Sequence, residues 1–104
     1  MKIQFNTDKT ISGEGRQEEY FTALIEDGLK RFESHISRIE VHLSDQNGVK
    51  EGLNDIECLL EARMEGKQPI AVSCQADSNE KAVSGAVAKM KNALETIVGK
   101  MTNY

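Results

Sequence analysis

The side chains of this chain that could do chemistry are two cysteines, two histidines and thirteen cations. Cys58 and Cys74 both fall on the apolar parity of consecutive alternating runs, which are joined through Glu65, Gly66, Lys67 and Gln68. If the two apolar sets share a sheet face, paired residue numbers add to an even value. A total of 132 sets the cysteines directly opposite each other, and 134 offsets them by two residues. Either register allows them to be neighbours in the core. In a cytosolic protein two small buried thiols outweigh a disulfide, and without a histidine pattern nearby they make no zinc site. His35 falls at the end of a helical stretch, where a partial charge suits the C-terminus. His42 lies on the polar parity of its run, so it faces away from the cysteines. Neither histidine has an acidic or nucleophilic partner at a catalytic spacing. Phosphate-loop, G-x-S-x-G and H-E-x-x-H motifs are absent. The sequence therefore reads as no enzyme, with no metal and no cofactor.

The cations are the better lead. Lys81, Lys89, Lys91 and Lys100 belong to the last helical stretch; Arg16, Lys30 and Arg31 belong to the first, with Arg38 just beyond it. Lysine and arginine on two neighbouring helices can hold a folded RNA by its phosphates without reading its sequence. The bland alternative is a pair of solvated helix faces. It is strong on the first helix, where Glu26–Lys30 and Asp27–Arg31 are i,i+4 pairs in the favourable order. It is weaker on the last, where RNA binding is the favoured reading. Net charge argues the other way. The chain carries −4, and residues 14–33 and 34–77 hold −3 and −4, against +1 for 1–13 and +2 for 78–104. An RNA-binding surface is expected to be basic, and only the last segment is appreciably so.

The elements that must position these residues follow from periodicity. Ile3 and Phe5 alternate with Lys2, Gln4 and Asn6. Ile39, Val41 and Leu43 alternate with Arg38, Glu40, His42 and Ser44. Ile56, Cys58, Leu60, Ala62 and Met64 alternate with Glu57, Glu61, Arg63 and Glu65, Leu59 being the exception. Ile70, Val72, Cys74 and Ala76 complete the set. Period two gives each strand one apolar face. Phe21, Leu24, Ile25, Gly28, Leu29 and Phe32 recur at three- and four-residue steps, which predicts an amphipathic helix over about residues 16–34. Gly28 on that stripe costs about 1 kcal/mol relative to alanine, and close approach of helix to sheet would account for it. A second stripe, Val83, Ala86, Val87, Met90, Leu94, Ile97 and Met101, predicts a last helix. Asp77 or Ser78 can cap it, and it should end around Gly99. Lys81, Lys89 and Lys100 fall within an arc of roughly 100° opposite the stripe.

Residues 7–15 and 45–54 read as polar, glycine-bearing connections, the second a mobile hairpin loop. Pro69 precedes the fourth strand, where its missing N–H is tolerated. The order is β-α-β-β-β-α. A right-handed crossover makes the first two strands parallel neighbours, hairpins add the rest, and both helices cover the apolar face. The expected fold is an α+β two-layer sandwich with a four-stranded mixed sheet, spanning residues 1–104 as a single domain. The open face offers Arg38, Glu40, His42, Glu57, Leu59, Glu61, Arg63, Ser73 and Gln75. It lacks aromatics for base stacking, and charged pairs across strands explain it. No stretch approaches the roughly 18 apolar residues of a membrane span, and the N-terminus has no apolar signal region. A cytoplasmic location is expected.

The succession "RIEVHLSD", a Gly/Lys loop, "NDIECLLEARMEGKQPIAVSCQAD" and a long helix resembles the ribosome hibernation-promoting factor/ribosome-associated inhibitor family. The likeness runs from "MKIQFNTD" to the final helix, and the family has this same architecture. It implies a short-form, sigma-54 modulation protein-like regulator that binds the small ribosomal subunit at 16S rRNA in the channel of messenger and transfer RNA. Such a protein stops initiation and preserves idle ribosomes under stress. It would act as a monomer or weak dimer, with no membrane or DNA partner. By position, Lys89 stands where the family has a basic residue in mid-helix, and Arg31 occupies a similar place near the end of the first helix. The sequence departs from the family in three respects. Asn92, Ala93 and Thr96 stand where its last helix is denser in Lys and Arg, and the first helix is acidic. The chain also stops at Tyr104, without the C-terminal domain of longer members. Weaker, more salt-sensitive ribosome binding is the expectation. The alternative is a protein-interaction module of the same fold with reduced rRNA affinity and a basic protein partner.

Overall fold

The computed structural model describes the backbone of residues 1–7, 15–45 and 56–102, and the side chains of 1–6, 19–44 and 56–99. The expected connection before the first helix and the glycine-bearing hairpin loop after the second strand lie outside the described residues. The elements are β1 (Lys2–Thr7), α1 (Gly15–Leu29), a 3₁₀ helix (Lys30–His35), β2 (Arg38–Asp45), β3 (Ile56–Arg63), β4 (Ile70–Ala76) and α2 (Asn79–Thr102). Spatial strand order follows sequence order, β1-β2-β3-β4. β1 and β2 are parallel, as a helix-bearing crossover requires, while β2–β3 and β3–β4 are antiparallel.

Alternation decides the faces. Ile39, Val41 and Leu43 are buried, and they sit opposite Ala62, Leu60 and Cys58, also buried. Phe21, Ile25 and Leu29 of α1 and Val83, Ala86, Met90 and Leu94 of α2 close over them. Each buried Val, Leu, Ile, Phe or Met among them contributes about 1.5–3 kcal/mol by leaving water, so the sheet cannot be stable uncovered. β3 and β4 join through a turn in which Lys67 N–H donates to Met64 O (3.2 Å). Gly66 takes φ +75° at its third position, which glycine reaches without steric cost. Ser78 is the cap of α2: its Oγ accepts from the Lys81 N–H at 3.2 Å.

Three features differ from the periodicity reading. The first helix is α-helical only to Leu29, and the rest of the expected span is 3₁₀. At three residues per turn, Leu29 and Phe32 stay on one line and both are buried. Ser37 is then set to donate from N and Oγ to Arg63 O at 2.8 and 2.9 Å, fixing the start of β2. Second, α2 runs past Gly99 to Thr102. Third, Gly28 faces the other helix rather than the sheet: a Cβ there would lie 2.5 Å from Val87 Cγ1. The close helix-to-sheet approach occurs instead at Gly85 of α2, which packs against Cys74 Sγ.

Candidate nucleic-acid interface

Three contacts show how the helices lie. Tyr20 donates its hydroxyl to Glu80 Oε2 (2.6 Å), Gly28 meets Val87, and Arg31 Nη1 donates to Glu95 Oε2 (3.0 Å). Numbers rise together along both helices, so α1 and α2 are parallel and form one layer. Glu80 raises the Tyr20 pKa, first by accepting its hydrogen bond and then by its charge. Lys91 is exposed. It stands between the Val87 and Glu95 contacts, on the α1-facing flank of α2.

The described cations of this layer fall into three settings. Arg31 is paired across the helix seam with Glu95, not with Asp27 as its spacing suggested, and its guanidinium also lies 5.2 Å from the Phe32 ring centroid. The 3₁₀ geometry after Leu29 alters the i,i+4 stacking that an unbroken α-helix would have given Asp27 and Arg31. Lys81 pairs with Asp77 at 3.3 Å, and Lys89 Nζ donates to Ser73 O at 2.7 Å. Lys89 is thus tied to the edge strand β4 rather than standing free on a solvated face. It satisfies a carbonyl on an edge where such groups are open to pairing with another chain. Lys30 and Lys91 are exposed, and neither has a described ion-pair partner. Lys30 shares an open groove of about 390 Å³ with Met1, Ala23, Glu26, Asp27 and Glu33, so its surroundings are acidic. The side chains of Arg16 and Lys100 lie outside the described residues.

Arg38 belongs elsewhere. It occupies the open sheet face, on the side of β2 away from the helices. Register places Arg38 opposite Arg63 and Glu40 opposite Glu61, two like-charge pairs that are destabilising as directly opposed partners. The side chains resolve this diagonally and along the strands. Arg38 Nη2 donates to Glu40 Oε2 at 2.7 Å, Arg63 Nε to the same oxygen at 3.1 Å, and Arg63 Nη2 to Glu61 Oε1 at 3.3 Å. Burial acts to raise the Glu40 pKa, but the Arg63 hydrogen bond and the charges of Arg38 and Arg63 outweigh it. The carboxyl is held below its ordinary 4.5. His42 Nε2 lies 3.8 Å from Glu40 Oε1, an acidic neighbour the spacing alone did not suggest. Both arginines bond Glu40 Oε2, and His42 faces the other oxygen at a distance beyond a hydrogen bond. This face is a self-neutralised network, and it separates Arg38 from the cations on the helices.

The cysteine register is the 132 solution, with Cys58 directly opposite Cys74. Both are free thiols, Cys58 buried and Cys74 half-buried. Burial first, then the neighbouring Cys74 and Glu57, push the Cys58 thiol up to about 12, which makes it a poor nucleophile. Among the described residues no group of three or more His, Cys, Asp or Glu is placed to hold a metal. No helix there is long and apolar enough to cross a membrane.

Sequence reasoning missed Tyr20, Glu80 and Glu95, whose contacts mark the helix seam. A signal existed on the unbroken helix that periodicity predicts: Tyr20 and Arg31, eleven residues apart, fall within about 20° on a helical wheel and so on one flank. What the sequence could not show was which side of that flank the second helix occupies.

A parallel helix pair bearing cations, laid over a β1-β2-β3-β4 mixed sheet, defines the class: a two-layer α+β domain whose helical layer is its candidate binding face. The chain belongs to the sigma 54 modulation protein / S30EA ribosomal protein family, whose model matches residues 8–102. Among solved structures it is similar to the N-terminal domain of Protein Y from Thermus thermophilus. The TM-score is 0.68 at 14% identity, covering 93% of this chain and 99% of that one. It is also similar to a ribosomal subunit interface protein from Coxiella burnetii, with a TM-score of 0.64 at 19% identity over 95% of this chain and 99% of that one. At these identities the likeness establishes the fold. No curated protein matches the sequence significantly.

Proposed function

We propose that this protein is a non-enzymatic, ribosome-associated translation regulator. It binds the small ribosomal subunit through 16S rRNA at the decoding and messenger/transfer RNA channel, and it inhibits translation or stabilises idle ribosomes under stress. The observation that carries this reading is family membership across residues 8–102. The geometry supports it, since Arg31, Lys81, Lys89 and Lys91 all project from the single helical layer, where phosphates can be met without base readout. In this reading Arg38 has only a structural role in the sheet network. A ribosome-bound protein works in the cytoplasm, and a single domain suffices for the contact.

The test is sucrose-gradient co-sedimentation with purified small subunits at low salt, wild type beside Lys81/Lys89/Lys91→Glu. Wild type should co-sediment and the variant should not. Retention of the triple variant would remove the helical layer from the contact. A second reading, docking of a basic protein partner, draws on the carboxylates Glu26, Asp27 and Glu33 around the groove on α1. Absence of wild-type binding to small subunits would favour it.

A further inference from the structure

Among the described cations of the helical layer, only Arg31 is held by a carboxylate from the other helix. Arg31 and Glu95 meet at 3.0 Å with 64% and 43% of their side chains exposed. An ion pair this open contributes little to folding, and a ligand can reach both members. Only Nη1 of the guanidinium is engaged by Glu95. The guanidinium also lies 5.2 Å from the Phe32 ring centroid, a contact that does not involve Glu95. Arginine takes carboxylate and phosphate through the same planar fork of donors. Lys91 lies one helical turn before Glu95, so the same carboxylate also weakens the field of the unpaired lysine.

We propose that Glu95 is a built-in competitor for RNA phosphate: it occupies Arg31 in the free protein and must be displaced for a backbone phosphate to bind there. This rests on the ribosome-binding reading above and adds a regulatory element to it. The affinity of the helical layer is set by a carboxylate in the seam as well as by its number of cations. A phosphate arriving at Arg31 gains a charge-assisted contact but loses the one it replaces, and it is repelled by the displaced Glu95. Removing that charge should therefore strengthen binding, even though the substitution adds no cation.

The experiment measures binding of the intact protein to purified small ribosomal subunits across a potassium chloride series. Wild type, Glu95→Gln, Arg31→Gln and the double variant are compared, with circular dichroism to verify that each keeps the fold. Glu95→Gln should bind about fivefold tighter at the lowest salt, and its advantage over wild type should shrink as rising salt screens the displaced carboxylate. In the Arg31→Gln background the same substitution should give little gain. If wild type binds and Glu95→Gln binds no tighter, the competitor role is overturned while ribosome binding stands. An equal gain with and without Arg31 also overturns it, because Glu95 would then be only a diffuse repulsive charge. If neither wild type nor Glu95→Gln binds at low salt, the competitor and the ribosome reading fall together. Binding by Glu95→Gln alone would support both.

Discussion

At the scale of single residues, Glu40 and Cys58 show how the sheet sets the chemistry on each of its faces. Glu40 is the hub of the open face, accepting from Arg38 and Arg63. Because its pKa is lower in the folded protein than in the unfolded chain, folding releases protons in the acid range. Its contribution to stability is present above the ordinary value of 4.5 and is lost as pH falls through the depressed folded value. Glu40→Gln should therefore lower the urea midpoint at about pH 7, and the gap to wild type should shrink by about pH 3. An equal gap at both would mean that the carboxylate charge is not what the arginines hold. On the other face, the Cys58 thiol is buried and pushed up to about 12. Native protein treated with iodoacetamide near pH 8 should carry label on Cys74 alone, and unfolded protein on both. Native labelling of Cys58 at a comparable rate would contradict the burial.

At the scale of elements, the strands were more legible than the helices. Period two, read directly from the residue order, marks all four strands, their faces and the two possible β3–β4 registers, because a one-residue slip would expose every apolar side chain. Helix boundaries depended on tertiary demands that periodicity does not carry. The shift to 3₁₀ after Leu29 places Phe32 in the core, and nothing in the sequence from 29 to 35 marks that point by itself. Gly28 is similar. Its place on the apolar stripe indicated close packing, but not that the partner was a helix. Val87, β-branched and so confined to essentially one rotamer in a helix, cannot move aside easily. Gly28→Ala should therefore destabilise the fold by roughly 1–2 kcal/mol in denaturant titration, despite alanine's better helix propensity. In a Val87→Ala background the same substitution should become neutral or stabilising by up to about 1 kcal/mol. An unchanged penalty there would show that the close contact of α1 with α2 is not its origin.

At the scale of the whole molecule, a net charge of −4 is compatible with the proposed RNA binding because charge is segregated. Arg38 and Arg63 are neutralised by Glu40 and Glu61 on the open face, and the remaining described cations other than Lys2 and Lys67 stand on the helical layer. That layer was legible as two helices bearing Lys and Arg, the first of them acidic overall. Its internal pairing was not, because Glu95 reaches Arg31 only once the two helices are set side by side. A surface with so few uncommitted cations, Lys30 and Lys91 among those described, should hold RNA weakly, through a small number of phosphates, with a correspondingly shallow salt dependence rather than the more salt-sensitive binding expected from the sequence.

The most direct test of ribosome binding by the helical layer is the salt dependence of wild-type affinity for purified small subunits. Affinity should be measurable at low ionic strength and fall log-linearly with salt, with a shallow slope of about −2 to −4, corresponding to a few phosphate contacts. Binding that is absent at the lowest salt, or that does not change with salt, would contradict an electrostatic contact between the helices and ribosomal RNA.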